Sequence, residues 1–197
     1  MNRITHIVGI DEVGRGPIAG PVTVCTCVVP NNFDFEKFEG IKDSKKLSPK
    51  KRQEWFAKIS DLKSCGELDF TFSSVSAKEI DEIGIAPAIK KALNKSLEKL
   101  ALNPLLTTVK LDGSLKAPKE FIFQETIIKG DEKIPIISAA SIVAKVTRDK
   151  YMTEQSEIYP LYGFEKHKGY GTVEHYKSIH KHGISPLHRK SFLGLNA

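Results

Sequence analysis

The sequence predicts an α/β domain in which helices pack on a mixed sheet of five strands. Three observations predict it. β-branched, apolar runs of strand length recur five times, helical periodicity fills the spaces between them, and three strands precede a pair of helices, two single strands and a last long helix.

Residues 4–10 and 22–29 are β-branched and apolar enough for strands, and the Gly- and Pro-rich stretch 14–21 separates them. After a basic loop, Ser48 is a helix N-cap with Pro49 at the first helical position, which starts a helix running to about Leu62. Residues 67–75 alternate, with Leu68, Phe70 and Phe72 against Asp69, Thr71 and Ser73, the period of a half-buried strand. Helical patterns follow over 76–83 and from about 87 to 102, where Ile89, Leu93, Leu97 and Leu100 mark one face. Residues 107–111 and 121–128 are further strands, and 136–152 is a strongly apolar helix. From about Pro160 the character changes to a Gly-x-Gly turn, a short helical pattern over 173–181 and most of the histidines. No repeat or low-complexity segment divides the chain, so residues 1–197 are expected to form a single domain with 160–197 as its appendage.

The chain has 197 residues, 30 Lys plus Arg against 24 Asp plus Glu (net charge +6), and 40% hydrophobic residues, a composition that can bury a core and is far from the apolar-poor signature of disorder. Its basicity favours a polyanionic partner. No apolar run approaches the ~18 residues that span a bilayer, and no signal-like stretch follows residues 1–6, so the expectation is a cytoplasmic protein with no membrane partner. Cys25, Cys27 and Cys65 are an odd number without a second pair to complete a zinc site, and read as free thiols of a reducing compartment.

Asp11 and Glu12 directly follow the first strand, and Asp112 follows the strand 107–111. If those strands are neighbours, the acids converge on one sheet edge, where a hard divalent cation such as Mg²⁺ would neutralise them and still accept phosphate oxygens. An ordinary Asp-Gly turn at Asp112–Gly113 and a solvated strand end at Asp11 explain the same spacing equally well. The stretch from Gly14 to Gly20 has G-x-G-x-x-x-G spacing and leads into a β-branched run, so it is not a dinucleotide fingerprint. It reads as a loop at the Asp11 edge where a ligand can approach the backbone, with Arg15 offering planar donors to phosphate.

Four ordered motifs carry a resemblance: Ile10-Asp11-Glu12-Val13-Gly14-Arg15-Gly16-Pro17, Lys42-Asp43-Ser44-Lys45-Lys46-Leu47, Leu111-Asp112-Gly113, and the segment from Ile137 through Ser138-Ala139-Ala140-Ser141 to Asp149. Together with Gly169-Tyr170-Gly171-Thr172 and Ser185-Pro186-Leu187-His188-Arg189, the sequence resembles bacterial ribonuclease HII, the type 2 ribonuclease H, over nearly its whole length. The related type HIII enzymes carry an additional N-terminal domain, for which the early first strand leaves no room. The resemblance implies a ribonuclease-H-like fold and a metal-dependent endonuclease. Such an enzyme hydrolyses the RNA strand of RNA/DNA hybrids and nicks 5′ of single ribonucleotides in duplex DNA, leaving 3′-hydroxyl and 5′-phosphate ends. It also implies two Mg²⁺ or Mn²⁺ ions held by Asp11, Glu12, Asp112 and Asp131.

For the fourth carboxylate, sequence geometry alone leaves Asp131 and Asp149, at the two ends of the apolar helix, equally placed. The resemblance assigns Asp131 and leaves Asp149 to local ion pairs with Arg148 or Lys145. It further implies that Gly14, Arg15 and Gly16 read the ribose 2′-hydroxyl through main-chain contacts and that Tyr170 packs beside the ribonucleotide. Lys42, Lys45, Lys46, Lys50, Lys51 and Arg52 form a basic cluster; Lys45 and Lys46 fall in a matched motif and are expected to hold duplex phosphates. The tail histidines His167, His175, His180, His182 and His188 lack zinc-site spacing and are expected on a solvent or duplex-facing surface, and the tail is expected to bind substrate. A monomer is expected. Two other readings remain: a non-catalytic nucleic-acid-binding module, which would bind without cleaving, and a related nuclease that cuts all-DNA junctions.

Overall fold

Strand β1 (His6–Val13) lies at the centre of a five-stranded sheet of order β3-β2-β1-β4-β5, with β2 at Val22–Pro30, β3 at Asp69–Val75, β4 at Thr107–Asp112 and β5 at Phe123–Ile127. The computed structural model describes residues 3–195, so the outermost two residues at each end of the expected 1–197 domain, and residues 1 and 2 of the segment read for a signal, lie outside it. β1, β2 and β3 are antiparallel neighbours, whereas β4 runs parallel to β1 and β5 parallel to β4. The sheet is therefore mixed, as the alternation of elements predicts. Helix α1 (Pro49–Ser64) starts where Ser48 caps the Lys51 amide, and it intervenes between β2 and β3.

The period-2 alternation of the strands divides two cores. Val8, Ile10, Val24, Val109 and Leu111 face α2 (Ala77–Ile83) and α3 (Ile85–Glu98) through Ile80, Ile89, Leu93 and Leu97. Cys25, Cys27 and Val29 face α1 and α5 (Pro135–Ile158) through Ile59, Leu62, Ile136, Ala139, Ala140 and Val143. The short helix α4 (Gly130–Lys133) precedes α5. Cys25 and Cys27 are buried free thiols with sulfurs 4.0 Å apart, and Cys65 is a free thiol on the surface.

Several boundaries differ from the sequence reading: α5 runs on to Ile158, past the expected 152, and β5 is shorter than the expected 121–128. β1 continues through Asp11, Glu12 and Val13, because β2 still pairs with them through Cys25, Val24 and Thr23. The carboxylates thus lie inside the strand end, on opposite faces. α3 stops at Glu98; Ala101 adopts φ 48°, and the turned chain still packs Leu100 and Leu102 on the α3 core.

Gly9 sets how closely α5 approaches the sheet. A Cβ there would overlap the Ile136 carbonyl and lie 2.7 Å from the Ile137 amide nitrogen, so only glycine lets the helix start press on β1. This contact is two residues from Asp11.

The tail carries α6 (Phe164–His167) and α7 (Val173–His182). It fastens to the loop after β1 through a bridge between Ala19 and His188, over a small core of Ala19, Met152, Tyr162 and Phe164. The surface expected for its histidines is wrong for two of them. His175 and His188 are buried, because aromatic neighbours and matched hydrogen bonds accommodate neutral rings: His175 Nδ1 meets the Tyr170 carbonyl at 2.9 Å, the two Nε2 atoms are 3.0 Å apart, and His188 Nδ1 accepts from the Ser185 amide at 2.8 Å. His167 stacks on His175, while His180 and His182 are exposed. Among the described residues no helix is long and apolar enough to cross a membrane.

Candidate active site

Parallel pairing of β1 with β4 aligns Ile10 with Leu111, which puts the next residues, Asp11 and Asp112, side by side at the strand ends. The α4 turn adds Asp131. Asp112 builds that junction itself: its Oδ1 accepts from the amides of Gly130 at 2.6 Å and Asp131 at 3.3 Å. The Asp131 carbonyl in turn accepts from Ser138 Oγ at 2.8 Å, tying the turn to α5. One carboxylate oxygen from each of Asp11, Asp112 and Asp131 lies within 4.8 Å of the others. Glu12, on the opposite face of β1, is outside this trio and sits 3.7 Å from Arg15 Nη1.

The electrostatics are those of a site that wants a cation. Burial first, and then the Glu12 charge, raise Asp11 well above its ordinary value, with the Ser141 hydroxyl partly offsetting them. Burial, then Asp112 and Asp43, push Asp131 up to about 6. Burial also raises Glu12, against the pull of Arg15. Asp11 and Asp131, whose ionised forms burial and neighbouring acids disfavour, converge with Asp112 as three hard oxygen donors and suit a divalent ion with oxygen preference.

Basic groups flank the trio. Asp43 caps the Lys45 amide, and buried Ser44 bonds Ser141 at 2.9 Å, which locks this turn onto α5 beside Asp11. Lys45 Nζ then lies 3.8 Å from Asp131, and Lys46 Nζ 2.7 Å from Glu132. Burial pulls the Lys45 ammonium down, but Asp11, Asp43, Asp131 and Asp112 together hold it above its ordinary value.

The loop after β1 leaves Arg15 and Gly16 exposed. Gly14 has φ +88°, and a side chain there would run into Arg148 and the Pro21 carbonyl. Gly16 has open space around it, so no packing among the described residues requires a glycine there. The amides of Ile18 and Ala19 both donate to the Gly169 carbonyl, which brings Tyr170, exposed and 5.9 Å from Lys145 Nζ, to the same region.

A family profile described as Ribonuclease HII matches residues 8–194. The chain belongs to the ribonuclease HII family. It is 46% identical over 189 residues to Ribonuclease HII of Shouchella clausii (strain KSM-K16), covering 94% of this chain and 68% of that protein. Its fold is similar to that of the ribonuclease H2 of Pyrococcus horikoshii OT3, with TM-score 0.70, 28% identity and 94% and 93% of the two chains covered. It also shares the fold of Bst-RNase HIII, whose structure is in complex with Mn²⁺, with TM-score 0.71, 17% identity and 98% and 71% covered. This ribonuclease HII is an endoribonuclease of RNA/DNA hybrids and a metal-dependent hydrolase, on the expected ribonuclease-H-like α/β fold.

Within the ribonuclease HII site, Asp131 and not Asp149 joins the trio. Asp149, in the second half of α5, bonds Lys145 at 2.8 Å and lies 3.8 Å from Arg52. Arg148, the other partner expected for Asp149, makes no ion pair among the described residues. It and Arg189 are fully buried, and their guanidiniums bond backbone carbonyls. Nothing in their residue type signals that burial.

Proposed function

We propose that this chain nicks duplex DNA on the 5′ side of an embedded ribonucleotide as well as cutting the RNA strand of hybrids, leaving 3′-hydroxyl and 5′-phosphate ends. The single observation that carries the reading is the convergence of Asp11, Asp112 and Asp131 within 4.8 Å beside a backbone loop with an exposed, sterically open glycine. A pure nucleic-acid binder would gain nothing from concentrating buried acids against phosphate.

Asp11, Asp112 and Asp131, with Glu12 at the rim, would hold two Mg²⁺ or Mn²⁺ ions. Bound divalent ions supply Lewis acidity toward a phosphodiester and a more acidic water. The chain's own groups do the rest. Asp112, held by the amides of Gly130 and Asp131, keeps its carboxylate fixed with one oxygen directed to the trio. Gly14, Arg15 and Gly16 present main chain to the ribose, where the 2′-hydroxyl, donor and acceptor together, separates RNA from DNA. Lys45 and Lys46 supply cations to phosphates at the mouth of the site, Tyr170 offers a ring to the adjoining sugar or base, and the tail from residue 160 extends the duplex-binding face. The buried free thiols fit a reducing cytoplasm, and a monomer suffices, since every proposed group comes from one chain.

The test is a labelled DNA duplex bearing one ribonucleotide, incubated with Mg²⁺ or Mn²⁺. Nicking 5′ of the ribonucleotide, lost with EDTA and in Asp11→Asn, supports the reading. Binding without cleavage under either metal, or cutting of a branched all-DNA duplex in preference to the ribonucleotide duplex, would replace it.

A further inference from the structure

Arg148 and Arg189 are among the largest fully buried side chains, and neither has an ion-pair partner among the described residues. Burying an unpaired charge is costly unless hydrogen bonds compensate it, and here all of them come from one stretch of backbone and its neighbour. Arg189 donates from Nε to the Gly20 carbonyl at 3.0 Å, from Nη1 to Arg15 at 3.1 Å, and from Nη2 to Gly14 at 2.6 Å and Gly20 at 2.8 Å. Arg148 donates to the carbonyls of Pro21 at 2.9 Å, Ala19 at 3.1 Å and Lys168 at 2.9 Å. The Arg189 amide takes the Ile18 carbonyl at 2.8 Å. Within 14–21 only the carbonyls of Gly16 and Pro17 are left without such a donor among the described residues.

A planar trans peptide points its C=O and the next residue's N–H in opposite directions. Drawing the Gly14 and Arg15 carbonyls inward to Arg189 therefore turns the Arg15 and Gly16 amides outward. Neither amide donates to an acceptor among the described residues, and both residues are exposed. Arg148 adds a second constraint. By holding Ala19 and Pro21 with one edge and Lys168 with the other, it fixes the loop to the segment that carries Tyr170.

We propose that Arg148 and Arg189 are positioning residues for ribonucleotide recognition, two buried guanidiniums that set the outward aim of the Arg15 and Gly16 amides and clamp the loop to Tyr170. The proposal rests on the functional reading above. Lysine cannot replace such a fork, since one ammonium cannot reach three carbonyls in a fixed plane. Loss of aim should hurt most where a single 2′-hydroxyl must be found. A hybrid offers one at every nucleotide of the RNA strand, and a misaimed loop can still find a register.

Arg189→Lys is compared with wild type on the single-ribonucleotide duplex and on an RNA/DNA hybrid, with the fold checked by circular dichroism and Mn²⁺ affinity by titration. The expected result is a kcat on the single ribonucleotide reduced roughly 10- to 100-fold, a much smaller loss on the hybrid, and unchanged Mn²⁺ affinity. Equal losses on both substrates, or none, overturn the proposal. Should Arg189→Lys fail to fold, Asp81→Asn decides. Asp81 accepts from the Lys190 amide at 2.9 Å and the Ser191 amide at 3.0 Å, and so pins the turn that carries Arg189 from outside the core. A skew toward hybrid cleavage in Asp81→Asn supports the proposal, and an unchanged ratio overturns it. Wild-type protein that leaves the single ribonucleotide uncut refutes the functional reading and this proposal together; wild-type cutting matched by Arg189→Lys refutes this proposal alone.

Discussion

His175 and His188 face each other through Nε2 atoms 3.0 Å apart, with both rings buried. One ring must donate and the other accept, so the pair is built for neutral imidazoles. Burial pulls His175 down to about 4 and lowers His188 as well.

Between pH ~6.5 and about 4 the unfolded chain therefore binds more protons at His175 than the folded one, so its contribution to stability is complete above pH ~6.5 and is lost as pH falls through that window, and the lowered His188 slopes the same way. For His175 the full loss is roughly 3 kcal/mol. The raised Asp11 and Asp131 slope the other way, since their folded forms favour the proton. Denaturant unfolding of wild type and His175→Phe at pH 7.5 and 4.5 separates the two, with a smaller acid loss expected in the variant. Identical acid losses would show that the histidine pair is not the cause.

Divalent ions should stabilise the fold, and more so at higher pH. With Asp131 titrating at about 6, pH 8 ionises it against burial and the Asp112 and Asp43 charges, which costs stability as pH rises and is reversed by a bound cation. Saturating Mg²⁺ or Mn²⁺ at about 100 times its Kd adds ~2.7 kcal/mol, or roughly 5–10 °C in Tm, at pH 8. The shift should shrink markedly at pH 5. Equal shifts at both pH values would place the ion elsewhere.

Asp131→Asn should abolish metal-dependent cleavage, whereas Asp149→Asn should keep it. Removing the Asp149 charge breaks half-buried contacts to Lys145 and Arg52 and costs about 1 kcal/mol of stability, with no change in metal titration. Parallel assays of the two variants check this, and the reverse pattern would exchange their roles.

Ser141→Ala tests how Asp11 is held. The Ser141 hydroxyl bonds Ser44 at 2.9 Å and supports the ionised form of Asp11. Its loss should weaken Mn²⁺ affinity roughly 10-fold while leaving the Tm within a few degrees. An unaltered titration would mean that Asp11 is oriented by its strand alone.

Gly9→Ala should destabilise the domain by about 1–3 kcal/mol and depress activity, because the added methyl meets the Ile136 backbone and pushes the start of α5 from the strand that carries Asp11. Thermal melts and the hybrid assay measure both losses.

Much of the fold was legible in the sequence, because strand alternation, the Ser48 cap and the apolar face of α3 are local signals. The extension of β1 through Val13 was not, since it depends on a partner strand a loop away. The carboxylates show the same division. Asp11 and Asp112 could be placed at strand ends from composition, yet their meeting depends on the parallel pairing of β1 with β4, and the choice of Asp131 over Asp149 came only with the resemblance. His175 and His188 were misread as surface groups, and the burial of Arg148 and Arg189 went unforeseen, because residue type describes what a side chain prefers in isolation. Their burial follows from partners, chiefly loop carbonyls, that no local pattern reveals.

Because Asp11 waits for Asp112 and Asp131, and Gly14 waits for Arg189, the two halves of the enzyme are completed at different moments of synthesis. A nascent chain on the ribosome does not gather its three carboxylates until β4 and the α4 turn have emerged and docked, and the loop after β1, proposed to read the ribonucleotide, stays unheld until Arg189 is free. The chain therefore acquires its blade before its eye.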